Sequence, residues 1–186
     1  YDHKATESLA AHAQRLGVSP AEAFIILSDE QNGKALFNYP FLNPSFDAVE
    51  TMLDHPRVVI GLGDSGAHVG QIMDASLPTY FLKHLVKERQ HFTLEQAIRK
   101  LTLDPAQLFG IQNRGVIQQG AFADLNVIDY DNLKLPPSVF VQDLPAGGSR
   151  YIQKSSGYKN TLVNGQVFME GLEHTGALAG QVLRSA

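Results

Sequence analysis

The chain has 186 residues, enough for one ordinary domain. With 44% hydrophobic residues it can build a sizeable core, so disorder is excluded. It has no cysteine, which rules out a disulfide framework, a thiolate zinc site and a cysteine nucleophile; the formal charge of -4 argues against a nucleic-acid surface. Only 18% of residues are charged, below the roughly 25% of an average domain, as expected if unusual amounts of surface lie against a partner. The chain begins with Tyr1 rather than Met, so a processed or partial polypeptide is expected. It shows no signal-peptide pattern and no apolar run near the ~20 residues of a membrane span, so a cytoplasmic protein is expected.

The first half reads as helices alternating with short strands. Ala5 to Leu16 has Leu9, Ala13 and Leu16 on one face and is stopped by Gly17, a good left-handed cap. Ser19-Pro20-Ala21-Glu22 restarts a helix, with Ser19 as cap, Pro20 at the first helical position and Glu22 closing a capping box. Leu36-Phe37-Asn38-Tyr39, ending at Pro40, reads as a short strand, and Ser45 to Leu53 as a helix. Arg57-Val58-Val59-Ile60-Gly61-Leu62 is a continuous apolar run of the kind buried on both faces of a parallel sheet. Ser76-Leu77-Pro78 opens a helix through Tyr80, Phe81, Leu85 and Val86. Thr93-Leu94-Glu95-Gln96 is a second capping box before the stripe of Leu94, Ala97, Ile98 and Leu101, and Asp104-Pro105 starts a short helix ended by Gly110.

From residue 111 the pattern turns to β. Gly115-Val116-Ile117 and Ala123 to Ile128 read as short strands. Asn164-Gly165, between two apolar runs, is a strong hairpin signal, while Pro136 to Gly157 reads as loop.

The chemistry concentrates in Gly61-Leu62-Gly63-Asp64-Ser65-Gly66-Ala67-His68-Val69-Gly70. Working residues of parallel α/β folds sit at the C-terminal ends of strands, and Asp64 falls just beyond such an end. The simplest alternative is a glycine-rich turn that Asp64 merely caps, with Ser65 a turn residue and His68 a brace. The string Gly63-Asp64-Ser65-Gly66 also occurs around the nucleophile of chymotrypsin-like proteases, but too few residues precede it and their pattern is not all-β. A Gly-Asp-Ser esterase or lipase needs an Asp-x-x-His near its C-terminus, where this chain offers Leu172-Glu173-His174. A non-catalytic binding or structural module is the remaining alternative. Arg150 and Tyr151 are further candidates to line a site, whereas His12, His84 and His174 read as surface or core groups.

The run Val58-Val59-Ile60-Gly61-Leu62-Gly63-Asp64-Ser65-Gly66-Ala67-His68-Val69 resembles the N-acyl-D-amino-acid deacylase (D-aminoacylase) branch of the amidohydrolase superfamily. Glu95 to Thr102 with Pro105-Ala106, Gly115 to Leu125, Val163-Asn164-Gly165, and the tail from Thr175-Gly176 to Leu183-Arg184 agree in order with it. The resemblance implies an α/β fold: a C-terminal fragment of a (β/α)8 metal-dependent hydrolase barrel followed by a small β-rich sandwich segment. Residues 1–110 would hold the last strands and helices of the barrel, with strands at Leu36–Tyr39 and Arg57–Leu62, and residues 111–186 the sandwich part. It implies hydrolysis of a non-peptide amide C–N bond in a small molecule, an N-acyl-D-amino acid among the candidates, with no nucleic-acid or membrane partner.

By the same resemblance Asp64 is the catalytic base and a metal-proximal residue of the full-length protein, and His68 a candidate substrate contact. The implied cofactor is zinc or another divalent metal, which this chain alone is expected not to hold: the family's His-x-His is not found among His3, His12, His55, His68, His84, His91 and His174. The fragment alone is therefore expected to be inactive, and its raw strand edges to promote self-association. Two departures stand out. Gly63 replaces the usual Ser before the Asp, and Gln71 to Ser76 has no Arg of the kind linked to the substrate carboxylate in D-aminoacylases.

Overall fold

The computed structural model describes residues 4–39, 42–43, 45–71 and 75–183. His3, Pro40, the 72–74 stretch of the Gln71–Ser76 segment and Arg184 lie outside the described residues. The chain divides into two compact units, Tyr1–Phe46 and Asp47–Ala186. Among the described residues no helix is long and apolar enough to cross a membrane.

The first unit is a helical pair. A 3-10 turn (Ala5–Glu7) leads into α1 (Leu9–Leu16), where Ser8 Oγ accepts the Ala11 N–H at 3.2 Å and Gly17 closes the helix at φ 69°. α2 (Pro20–Glu30) starts on the expected box: Ser19 Oγ accepts the Glu22 N–H at 3.2 Å, and the Glu22 carboxylate accepts the Ser19 N–H at 2.9 Å. That main-chain N–H holds the Glu22 carboxyl below its usual range. Ala13 and Ala23 are buried, one on each helix, and their small side chains let α1 and α2 approach closely. Leu36–Tyr39, expected as a strand, forms no ladder among the described residues. The Phe37 ring lies tilted against Phe24, centroids 4.6 Å apart, and Leu36, Phe37 and Tyr39 all stay exposed.

In the second unit the core lies on the helices. α3 (Phe46–Asp54) opens it; α4 (Leu77–Tyr80) runs directly into a π-helical stretch, Phe81–Glu88, that buries Phe81, Leu82, Leu85 and Val86. Phe92, Ala97 of α5 (Leu94–Leu101), Ala106 of α6 (Leu103–Leu108) and Leu133 are buried too. The Thr93–Gln96 box forms as expected. α3 is fastened by charge: Arg89 donates to both oxygens of Glu50 and, at 2.8 Å, to Asp47, while His91 lies 3.0 Å from Asp54. The Arg89 hydrogen bond keeps the buried Glu50 carboxyl below its usual range, so a charge that would be costly alone is compensated.

The β part has two antiparallel sheets. β1 (Leu125–Ile128), β4 (Tyr158–Val163), β5 (Gln166–Glu170) and β6 (Glu173–His174) lie in the order β1-β4-β5-β6. Asn164 (φ 48°) and Gly165 (φ 81°) make the two-residue hairpin turn that an Asn-Gly pair suits. The turn is held from behind. Asn164 N–H donates to Asp124 at 2.8 Å, Arg114 donates to Asn164 Oδ1 at 2.8 Å and is also ion-paired with Asp124.

Besides Leu36–Tyr39, three expectations need correction. Arg57–Leu62 is not a strand: Val58 N–H turns back to His55 O at 3.0 Å, and no neighbouring chain pairs with the run among the described residues. Gly115–Ile117 is a bend rather than a strand, because Gly115 is pressed against α6. Pro136–Gly157 is not a plain loop but holds the second sheet, β2 (Val139–Leu144) and β3 (Gly148–Ile152); its Pro145 and Gly147 form the turn.

Gly115 sits at φ 80°, and a Cβ there would meet Thr102 O at 2.9 Å; Gly120, at φ 85°, has open space around it. Gly120→Ala should cost about 1–2 kcal/mol from left-handed strain alone. Gly115→Ala should cost a further ~1–3 kcal/mol for the clash. Urea unfolding of the two variants measures the difference; equal losses would show that α6 yields freely.

Candidate functional site

The candidate loop is built from two consecutive turns. Ala67 N–H donates to Asp64 O at 3.1 Å, and Gln71 N–H donates to His68 O at 2.7 Å. Gly66 at φ 95° and His68 at φ 54° both adopt the left-handed conformation, easy for glycine and uncommon for histidine. Asp64 and His68 are exposed. Among the described residues neither side chain has a hydrogen-bond or ion-pair partner, and the two do not bond each other. An unengaged carboxylate on a tightly shaped backbone is free to meet a ligand.

The loop does not stand alone. Tyr151 N–H, on β3, donates to Val69 O at 2.9 Å. Ser65, Gly66 and Val69 from the loop, Ala75, and Arg150 to Gln153 from β3 and the residue after it surround a shallow cavity of about 230 Å³. The structure thus brings Ser65 together with Arg150 and Tyr151, residues some 85 positions away in sequence, for which no spacing signal exists. Arg150 is fixed by a two-pronged pair to Asp143, Nε to Oδ1 at 2.8 Å and Nη2 to Oδ2 at 2.7 Å. The pair holds the Asp143 carboxyl below, and the Arg150 guanidinium above, their usual ranges. Burial pushes the Tyr151 phenol up.

Several other histidines among the described residues have partners nearby in sequence. His12 lies 2.9 Å from Arg15 and His84 2.8 Å from Glu88; His174 accepts the Gly176 N–H at 2.8 Å. Among the described residues no three His, Asp or Glu side chains converge on a point that a metal ion could occupy. The donor set around Asp64 does not by itself fit the divalent metal that the family resemblance implies. A larger open depression of about 590 Å³ lies beside Ser155–Asn160 and Glu170–Leu172, and neither Asp64 nor His68 lines it.

Residues 3–169 match the Amidohydrolase family. The chain belongs to the amidohydrolase family, a family of hydrolases. It is similar to N-acyl-D-aspartate deacylase of Alcaligenes xylosoxydans xylosoxydans, at 31% identity over 89% of this chain and 28% of that protein. N-acyl-D-glutamate deacylase of the same organism matches at 42% identity over 30% of this chain and 11% of its own length. Among solved structures, N-acyl-D-glutamate deacylase of Bordetella bronchiseptica, complexed with zinc and a phosphonate inhibitor, is 27% identical. It aligns over 87% of this chain and 31% of its own, with a TM-score of 0.45. The chain thus spans less than a third of the length of these relatives.

The Asp143–Arg150 pair has a defined pH signature. Its carboxyl is lowered when folded, so the pair's stabilisation is full above the usual value of 3.8 and is lost as pH falls through the folded value. Asp143→Asn should lower the melting temperature at neutral pH, and its gap from the unsubstituted chain should close in acid. A gap that persists unchanged down to about pH 2 would show that the carboxylate charge contributes nothing.

Proposed function

We propose that this chain is the C-terminal portion of a metal-dependent amidohydrolase that cleaves a non-peptide amide bond in a small molecule, with Asp64 as its proton-transferring carboxylate. Residues 1–110 belong to the barrel in this reading and residues 111–186 to the sandwich domain. The observation that carries it is the family match over residues 3–169, coupled with an exposed Asp64 whose side chain has no partner among the described residues. The similarity to deacylases of N-acyl-D-aspartate and N-acyl-D-glutamate supports an N-acyl-D-amino acid as substrate class.

The chemistry assigned to this chain is limited to proton movement. A water attacks the amide carbonyl carbon as its proton passes to the Asp64 carboxylate. Asp64 then gives that proton to the amide nitrogen, and the C–N bond breaks to release a carboxylic acid and an amine. His68, four residues on in the same loop, is a substrate contact in this reading. Zinc or another divalent metal, lying beside Asp64 in the full-length protein, would need its remaining ligands from outside this chain, which alone is inactive. Exposed Leu62, Leu108, Phe109 and Ile117 are the surfaces through which the isolated chain self-associates.

Asp64→Asn in the full-length protein, assayed on N-acetyl-D-amino acids, should lower kcat by ~10²–10⁴-fold. In the isolated chain, where the carboxylate has no partner among the described residues, the same substitution should change stability by less than about 0.5 kcal/mol. A variant that retains the unsubstituted rate would remove Asp64 from the chemistry.

A further inference from the structure

We infer that β3 positions the Asp64 loop, with the Tyr151 main-chain N–H as the anchor; this rests on the reading of Asp64 given above. β3 pairs with β2 in the register Val139–Ile152, Phe140–Tyr151 and Val141–Arg150. The Tyr151 N–H is spent on Val69 and so lies outside that ladder. It belongs to the outer edge of β3, and the loop covers that edge where an exposed strand would otherwise present open backbone groups.

The geometry transmits this single contact to Asp64. Val69 lies inside the 68–71 turn, which follows directly on the 64–67 turn, so fixing Val69 fixes the second turn and, through the chain, the first. The Asp64 side chain has no partner among the described residues that could hold it independently, which leaves the backbone to set its place. β3 is itself stiffened: the Asp143–Arg150 fork flanks Tyr151, and the Phe140 and Tyr151 rings lie 5.0 Å apart. Tyr151 is a positioning residue in this account, acting through Val69, and the Asp143–Arg150 pair supports it. The β-rich half thereby has a part in catalysis although it contributes no reacting group.

The test uses the full-length protein with N-acetyl-D-amino acids as probe. Tyr151→Pro removes the N–H donor, while Tyr151→Ala removes the ring and keeps the donor. The Pro variant should lose at least about tenfold in kcat, since misplacing a catalytic group by about 1 Å can cost up to ~10²-fold, with a smaller rise in KM because His68 shares the loop. The Ala variant keeps the donor and loses only the ring contact with Phe140, so its fall in kcat should be several-fold smaller than that of the Pro variant. Equal losses in the two variants, or no loss in the Pro variant while Asp64→Asn is inactive, would overturn the anchor and leave the reading of Asp64 standing. Activity surviving in Asp64→Asn would overturn that reading instead. Should Tyr151→Pro fail to fold, amide hydrogen exchange on the unsubstituted protein decides: the Tyr151 amide should be protected, and exchange at the rate of an open amide would overturn the anchor.

Discussion

A β-strand exists only where its N–H and C=O groups find a neighbouring backbone, and this requirement governs the chain. Antiparallel pairs are local and need only a short turn, so the segments on either side of Asn164-Gly165 and of Pro145–Gly147 find each other. A parallel strand has no such local partner. Arg57–Leu62 has the composition of a buried parallel strand yet pairs with no strand among the described residues, with Val58 to Ile60 half-buried and Leu62 fully exposed. The same requirement works in the site's favour at β3, where an open edge takes up the carbonyl of Val69.

The helical core makes the platform for this arrangement within the second unit. Phe81, Leu82, Leu85 and Val86 are buried along one stretch. The β part is hooked onto it by polar contacts: Tyr158 Oη lies 2.9 Å from Thr79 Oγ1, Tyr130 Oη donates to Leu82 O at 3.3 Å, and Lys87 Nζ donates to Asp131 O at 2.8 Å. Glu50 and Arg89 fasten α3 in the same way, through a buried carboxylate both of whose oxygens accept from one guanidinium. Hydrophobic burial thus gathers the helices, while directional bonds set where the loops and strands attach.

What the sequence revealed follows from the range of each interaction. Capping boxes at Ser19 and Thr93, the glycine stop at Gly17 and the Asn-Gly hairpin depend on residues within a few positions, and all form as read. The β2–β3 hairpin reads as loop in the sequence, because Pro145 and Gly147 outweigh the short apolar runs Val139-Phe140-Val141 and Tyr151-Ile152 on either side of them. Asp47, Glu50 and Asp54 share a helix face, a hint of the cation that meets them, though nothing local points to Arg89. The approach of Val69 to Tyr151 spans 82 positions and leaves no periodic signature. The family resemblance supplied the identity of Asp64 as a candidate, and the structure supplied the partner strand.

The central claim is that this chain contributes a proton-transferring carboxylate and its brace to a metal site whose other ligands lie elsewhere in the protein. Zinc content, measured on this chain alone and on the full-length protein, tests it most directly. The account predicts no stoichiometric zinc on this chain, where no ligand group converges among the described residues, and a tightly bound ion on the full-length protein. About one firmly held zinc per isolated chain, lost on Asp64→Asn, would contradict it, because a structural or catalytic site needs three or four converging ligands.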